Sequence, residues 1–284
     1  MEIKKVLVIG AGQMGGGIAQ VIAQAGYEVL LNDYKVENIE QRISFIGGLL
    51  AKNVEKGRMT EEEKEATLSK IKVCADYSDI KDVDLVVEAI VENMDVKKEL
   101  LVKLSEALND EAIFASNTSS LSITELATAY KDPSKVIGMH FFNPVPVMKL
   151  VELIRGIGTS DETYQAVKVL GEKIGKTTVE IKDFPGFAVN RILIPMLNEA
   201  INTLYTGVAT VEDIDNSMKL GANHPMGPLA LADFIGLDTV LSILEVLYKG
   251  FGDQKYAPSP LLRNYVRAGW LGKKTGKGFY DYSK

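Results

Sequence analysis

His140 and Glu152 lie twelve residues apart in the run HFFNPVPVMKLVE, and those two residue types can do acid/base chemistry together. A carboxylate bonded to one imidazole nitrogen fixes the tautomer and supports the imidazolium, which leaves the other nitrogen to exchange a proton with a substrate. The pair works only if the chain doubles back between its members. Lys135 to Met139 and Met148 to Ile154 read as strands, and Pro144 and Pro146 between them cannot continue a central strand, so the segment is expected to turn there. A histidine at a strand end is more often just hydrogen-bonded and partly exposed. The elements around it therefore decide.

Ile3 to Ile9 is an aliphatic, β-branched run that suits a strand buried on both faces of a parallel sheet. It leads into Gly10-Ala11-Gly12-Gln13-Met14-Gly15, a helix-like stretch to Ala25, a second strand Glu28 to Leu31, and Asp33. This is a βαβ unit with a dinucleotide fingerprint in frame. Gly10 allows the tight turn, Gly12 lets the backbone approach a pyrophosphate, and Gly15 permits close helix packing, with the free amides of the helix N-terminus facing the phosphates. Asp33 can accept from the ribose hydroxyls of NAD and would repel a 2′-phosphate, and neither Asn32 nor Tyr34 supplies a cation, so NAD(H) is expected over NADP(H).

From Lys35 to Lys70 the pattern is helical, broken near Gly57 and restarted at Thr60, which forms a capping-box pattern with Glu63. Two helices inserted here would form an arm. Lys52 and Lys56 share one face of the first, either as a solvated surface or as an anion site. Strand signals return at Ile71 to Cys74, Leu85 to Glu88, Ala112 to Ser116 and Lys135 to Met139, which completes a doubly wound sheet. The carboxyl ends of such strands hold ligands; here they carry Glu88 to Glu92, Ser116 to Ser120, and His140. After a last strand, Thr177 to Ile181, the stretch Lys182 to Gly186 reads as a boundary. Helices are expected at Phe187 to Tyr205, Val211 to Leu220, Pro228 to Leu247 and Pro260 to Ala268. The fold class is α/β: a Rossmann-type domain over 1–183 with a helical arm, then an all-α domain over 184–284 with apolar faces suited to dimerisation.

Length, 46% hydrophobic and 25% charged residues fit a two-domain globular protein. A net charge of -6 argues against nucleic acid as a partner, and two histidines with one cysteine give no spaced metal-ligand cluster. Cys74 rules out an internal disulfide and reads as core or strand-end filling. No apolar run reaches the roughly 18 residues of a membrane span, and no cleavable leader is seen, so a cytoplasmic protein is expected.

Several longer stretches resemble the short-chain L-3-hydroxyacyl-CoA dehydrogenase family, in particular its bacterial 3-hydroxybutyryl-CoA branch: GAGQMGGGIAQ, NTSSLSIT, GMHFFNPVPVMKLVE, DFPGFAVNRIL, PMGPLALADFIGLD and GKKTGKGFYDY. The resemblance covers the whole chain. It implies reversible hydride transfer between NAD(H) and C3 of (S)-3-hydroxybutyryl-CoA or acetoacetyl-CoA, in butyrate metabolism or β-oxidation, by a homodimer or dimer of dimers. It further implies His140 as proton acceptor and donor and Glu152 as its orienting partner. Ser119 would contact the C3 oxygen and Asn190 the thioester end. Asp33, Glu92, Lys97, Ser119, Asn143 and Lys274 would contact the cofactor, and Lys56 with Lys52 the coenzyme A. Read alone, Lys97 is one more exposed helix lysine, and His224 is a loop residue. Two rival readings stand beside this one: a related dehydrogenase of a small free hydroxy acid, which would have no use for the lysine arm, and an NADH-binding protein with a structural role.

Overall fold

The computed structural model describes residues 2–78 and 80–283. Its chain forms two compact units, Met1–Asp183 and Phe184–Lys284. The first alternates strand and helix as β1 (Lys5–Ile9), α1 (Gln13–Gln24), β2 (Glu28–Asn32), α2 (Val36–Glu55), α3 (Glu61–Lys70), β3 (Ile71–Val73), β4 (Leu85–Glu88), α4 (Met94–Ala107), β5 (Ile113–Ser116), α5 (Ile123–Ala127), β6 (Val136–Phe141), β7 (Leu150–Arg155), α6 (Asp161–Lys173) and β8 (Thr177–Lys182). The strands make one sheet in the order β3-β2-β1-β4-β5-β6-β7-β8. Every neighbouring pair is parallel except β6 with β7.

That exception has a local cause. The connection from Phe142 to Lys149 is shorter than the dozen or more residues a parallel crossover requires, and its prolines interrupt any helix. β7 must therefore return alongside β6, which pairs His140 directly with Glu152. The remaining strands are joined through helices that cover the sheet. Ile18 and Ile22 of α1 are fully buried with Val6 and Val8 of β1 and Val29 and Leu31 of β2, and each such side chain contributes about 1.5 to 3 kcal/mol of burial. α2 and α3 form the arm, with Thr60 and Glu63 making a complete capping box at the start of α3.

The second unit contains α7 (Val189–Tyr205), α8 (Val211–Asn216), α9 (Pro228–Ile235), α10 (Leu237–Phe251) and α11 (Pro260–Arg267). The helix expected over Pro228 to Leu247 is two helices, because Gly236 sits at φ 102, a left-handed conformation that breaks the ladder although the apolar pattern runs on. The stretch expected as Val211 to Leu220 closes as α-helix at Asn216 and continues as a π turn over Ser217–Gly221. α7 begins two residues later than expected, since Gly186 and Phe187 have φ of 75 and 51. The motifs PMGP and GKGFYDY are tied together by two buried carboxylates. Asp215 accepts from the Leu229 and Ala230 amides at 2.8 and 3.0 Å and from the Tyr280 hydroxyl at 2.8 Å. Asp233 accepts from the Phe279 and Tyr280 amides at 3.0 and 2.9 Å. Burial raises the Asp233 carboxyl above its ordinary value, against the opposing pull of those bonds.

Candidate active site

The register of β6 on β7 brings the predicted pair together: His140 Nδ1 lies 2.8 Å from Glu152 Oε2. His140 is 6% exposed and Glu152 fully buried. A carboxylate that accepts from Nδ1 selects the tautomer in which Nε2 can take up a proton. The Phe142 ring packs beside the imidazole, with centroids 4.5 Å apart. The Phe141 amide donates to Asn117 Oδ1 at 2.9 Å, which ties the end of β6 to the loop after β5.

That loop carries Ser119, and Glu92 gathers it. Glu92 Oε1 accepts from Thr118 Oγ1 at 2.6 Å, from the Ser119 and Ser120 amides at 2.9 and 3.1 Å, and from the Ser119 and Ser120 hydroxyls at 3.3 and 3.0 Å. Lys97, on α4, is not an exposed helix lysine: it is 1% exposed, 2.5 Å from Glu88 Oε1 and 3.7 Å from Glu92 Oε2. The other oxygen of Glu88 accepts from Ser116 Oγ at 2.7 Å. This cluster links the ends of β4 and β5 to the Ser119 loop. Glu88 and Ser116 are members that spacing alone does not assign, because their partners come from separate elements.

The dinucleotide fingerprint is built as the sequence requires. A Cβ on Gly10 would lie 2.5 Å from the Ala89 carbonyl oxygen, and one on Gly15 would lie 1.8 Å from the Gly10 oxygen, whereas one on Gly12 would meet nothing within 4 Å. Two glycines thus permit close backbone packing, and the third leaves room for a ligand at the N-terminus of α1. Asp33, at the end of β2, accepts from the Ala11 amide and from Asn38 Nδ2, both at 2.8 Å. A cavity of about 710 Å³ beside it, lined by Ala89, Ile90, Val91, Tyr77 and Leu100 among others, suits an adenine ring. Tyr77 donates to Asn32 Oδ1 at 3.1 Å, and burial pushes its hydroxyl up to about 12. These residues fit NAD.

The family model for the 3-hydroxyacyl-CoA dehydrogenase NAD binding domain matches residues 5–184, and that for the 3-hydroxyacyl-CoA dehydrogenase C-terminal domain matches residues 186–282. The chain belongs to the 3-hydroxyacyl-CoA dehydrogenase family. It is 56% identical over 284 residues to a probable 3-hydroxybutyryl-CoA dehydrogenase of Bacillus subtilis, covering 100% of this chain and 99% of that one. With the 3-hydroxybutyryl-CoA dehydrogenase of Clostridioides difficile it shares 52% identity over 280 residues, 99% of this chain and 100% of the other. The crystal structure of (S)-3-hydroxybutyryl-CoA dehydrogenase from Ralstonia eutropha superimposes with a TM-score of 0.98 at 49% identity, each chain covered completely.

The remaining predicted residues of this 3-hydroxyacyl-CoA dehydrogenase fall into three places. Asn143 is exposed in the turn after β6 and accepts from Gln13 Nε2 of α1 at 2.9 Å, so the turn is tied to the dinucleotide helix. Lys176 holds the same turn from below, donating to the Val145 and Met148 carbonyls at 2.5 and 2.8 Å. Lys52 and Lys56 are exposed at the end of α2. Asn190 and Lys274 belong to the second unit: Asn190 is buried at the second residue of α7, and Lys274 is 2.6 Å from Asp238. The positioning roles of Gln13, Asn117 and Lys176 went unseen in the sequence because each acts through polar bonds to residues far away in the chain, which no motif spacing reports.

Proposed function

We propose that the chain interconverts (S)-3-hydroxybutyryl-CoA and acetoacetyl-CoA with NAD(H), and that His140 moves the proton. The observation that carries this reading is the buried 2.8 Å bond between His140 and Glu152 near the carboxyl end of β6. NAD(H), which the glycine cradle and Asp33 would hold, would supply the hydride chemistry at C3 in either direction. In oxidation His140 Nε2 removes the hydroxyl proton as C3 is oxidised, and in reduction it gives that proton to the developing alkoxide. Glu152, bonded to Nδ1, stabilises the imidazolium between the two. The Ser119 hydroxyl turns from its 3.3 Å bond to Glu92 to donate to the C3 oxygen, with Asn190 toward the thioester end, and a donor in such a place is worth roughly 2.7 to 4 kcal/mol. Glu92 acts by holding the Ser119 loop, and Lys97 by neutralising Glu88. Asp33 takes the ribose, Asn143 and Lys274 contact the cofactor, and Lys56 and Lys52 meet the phosphates of coenzyme A. The second unit serves substrate binding and assembly as a homodimer or dimer of dimers; exposed Ile192, Val208 and Leu220 support an apolar interface. Among the described residues no helix is long and apolar enough to cross a membrane, and the single cysteine accords with a cytoplasmic enzyme in butyrate metabolism or β-oxidation.

Consumption of NADH with acetoacetyl-CoA, with free acetoacetate and NADPH as controls, tests the reading. Rapid oxidation of NADH with the CoA ester alone is expected. Equal use of free acetoacetate would favour a free-acid dehydrogenase, and NADH binding without turnover would favour a structural role.

A further inference from the structure

Ala11 lies between the first two fingerprint glycines, and side chains from outside the loop hold both of its backbone polar atoms. Its amide donates to Asp33 Oδ2 at 2.8 Å, and its carbonyl accepts from Arg42 Nε at 2.8 Å. Arg42 reaches the loop from α2 across the start of α1. A Cβ on Gly16 would lie 2.2 Å from Arg42 Cδ, so the glycine there is what lets the side chain pass. The Phe45 ring, 5.1 Å from the guanidinium carbon, supports its other side.

The one cis peptide among the described residues is Asn143–Pro144, so Ala11–Gly12 is trans. In a planar trans peptide the carbonyl and the following amide point in opposite directions. A carbonyl pinned toward Arg42 on α2 therefore sends the Gly12 amide away from α2. Gly12 is the N-cap of α1, and a Cβ there would meet nothing within 4 Å, so the backbone at this position borders open space at the helix N-terminus, where a pyrophosphate would lie. We propose that Arg42 is a positioning residue for the dinucleotide: it locks the Ala11–Gly12 peptide so that the Gly12 N–H is presented to the pyrophosphate before the cofactor arrives. Its planar Nε–H is what sets the orientation, which a lysine ammonium on a flexible stem does not reproduce.

The inference rests on NAD binding in this cradle and is independent of the acyl substrate. Its test is NADH affinity, measured by fluorescence titration without substrate, in wild type, Arg42→Met, Arg42→Ala and Arg42→Lys, alongside kcat and the two KM values. Loss of a bond from a charged donor predicts about a tenfold weaker NADH affinity in Arg42→Met. In that variant kcat at saturating NADH and KM for acetoacetyl-CoA are expected within twofold of wild type. Arg42→Lys is expected to recover little, and methylguanidinium added to Arg42→Ala is expected to restore part of the affinity. Unchanged NADH affinity in Arg42→Met overturns the proposal. So does full recovery in Arg42→Lys, which would mean a point charge suffices, and so does a rise confined to the acetoacetyl-CoA KM, which would assign Arg42 to the other ligand. Should Arg42→Met fail to fold, the Lys variant and the methylguanidinium rescue decide.

Discussion

Two groups of charged side chains stand at the same end of one sheet and are built in different ways. His140 and Glu152 are cross-strand neighbours, joined by the register of β6 on β7. Lys97 meets Glu88 and Glu92 from a helix, and no register dictates that contact. The first is one acid and one base, bonded through His140 Nδ1. The second is turned inward: Lys97 neutralises, and Glu92 spends its oxygen on the backbone and hydroxyls of residues 118–120. The contrast teaches that charge at this end of the sheet serves two purposes, proton transfer in one place and, through the more exposed Glu92, loop geometry in the other.

The comparison can be broken by removing one charge from each group. Lys97→Met strands Glu88, which is fully buried, and should cost about 3 to 5 kcal/mol of stability in urea unfolding. Pairing it with Glu88→Met should recover most of that loss. A cost below about 1 kcal/mol would show that water reaches the cluster. Glu152→Gln keeps the shape and removes the charge that supports the imidazolium, so turnover should fall by about ten- to a hundredfold with little change in unfolding. Unchanged kcat would reduce Glu152 to packing.

The smallest effect concerns the turn that follows His140. Burial lowers the Lys176 ammonium below its ordinary 10.5. The folded chain therefore releases this proton at lower pH than the unfolded chain, and stability gains as pH rises through the window between the lowered value and 10.5. Comparing urea midpoints at pH 8 and pH 10.5, wild type should gain relative to Lys176→Met. The opposite sign would mean that the charged form is the one the two carbonyls favour.

How far the site could be read in advance follows the same division. The His140–Glu152 pair was legible because Pro144 and Pro146 force a short return, and a short return forces an antiparallel register. The glycine cradle was legible because its close approaches exclude any side chain at Gly10 and Gly15. Lys97 was not, since in MDVKKELLVKL it stands beside Lys98 and looks equally solvated; only the folded position of Glu88 draws it inward. Arg42 was invisible for a like reason, lying outside the fingerprint it supports. The break at Gly236 was hidden by an apolar pattern that continues across it.

The most direct test of the account is the split between turnover and cofactor affinity in His140→Gln. If His140 is the proton carrier, kcat with acetoacetyl-CoA should fall by about 10² to 10⁴ while NADH affinity, titrated by fluorescence, stays near wild type. Retained turnover would remove His140 from the chemistry, and an equal loss of turnover and NADH binding would show that it holds the site together and does not move the proton.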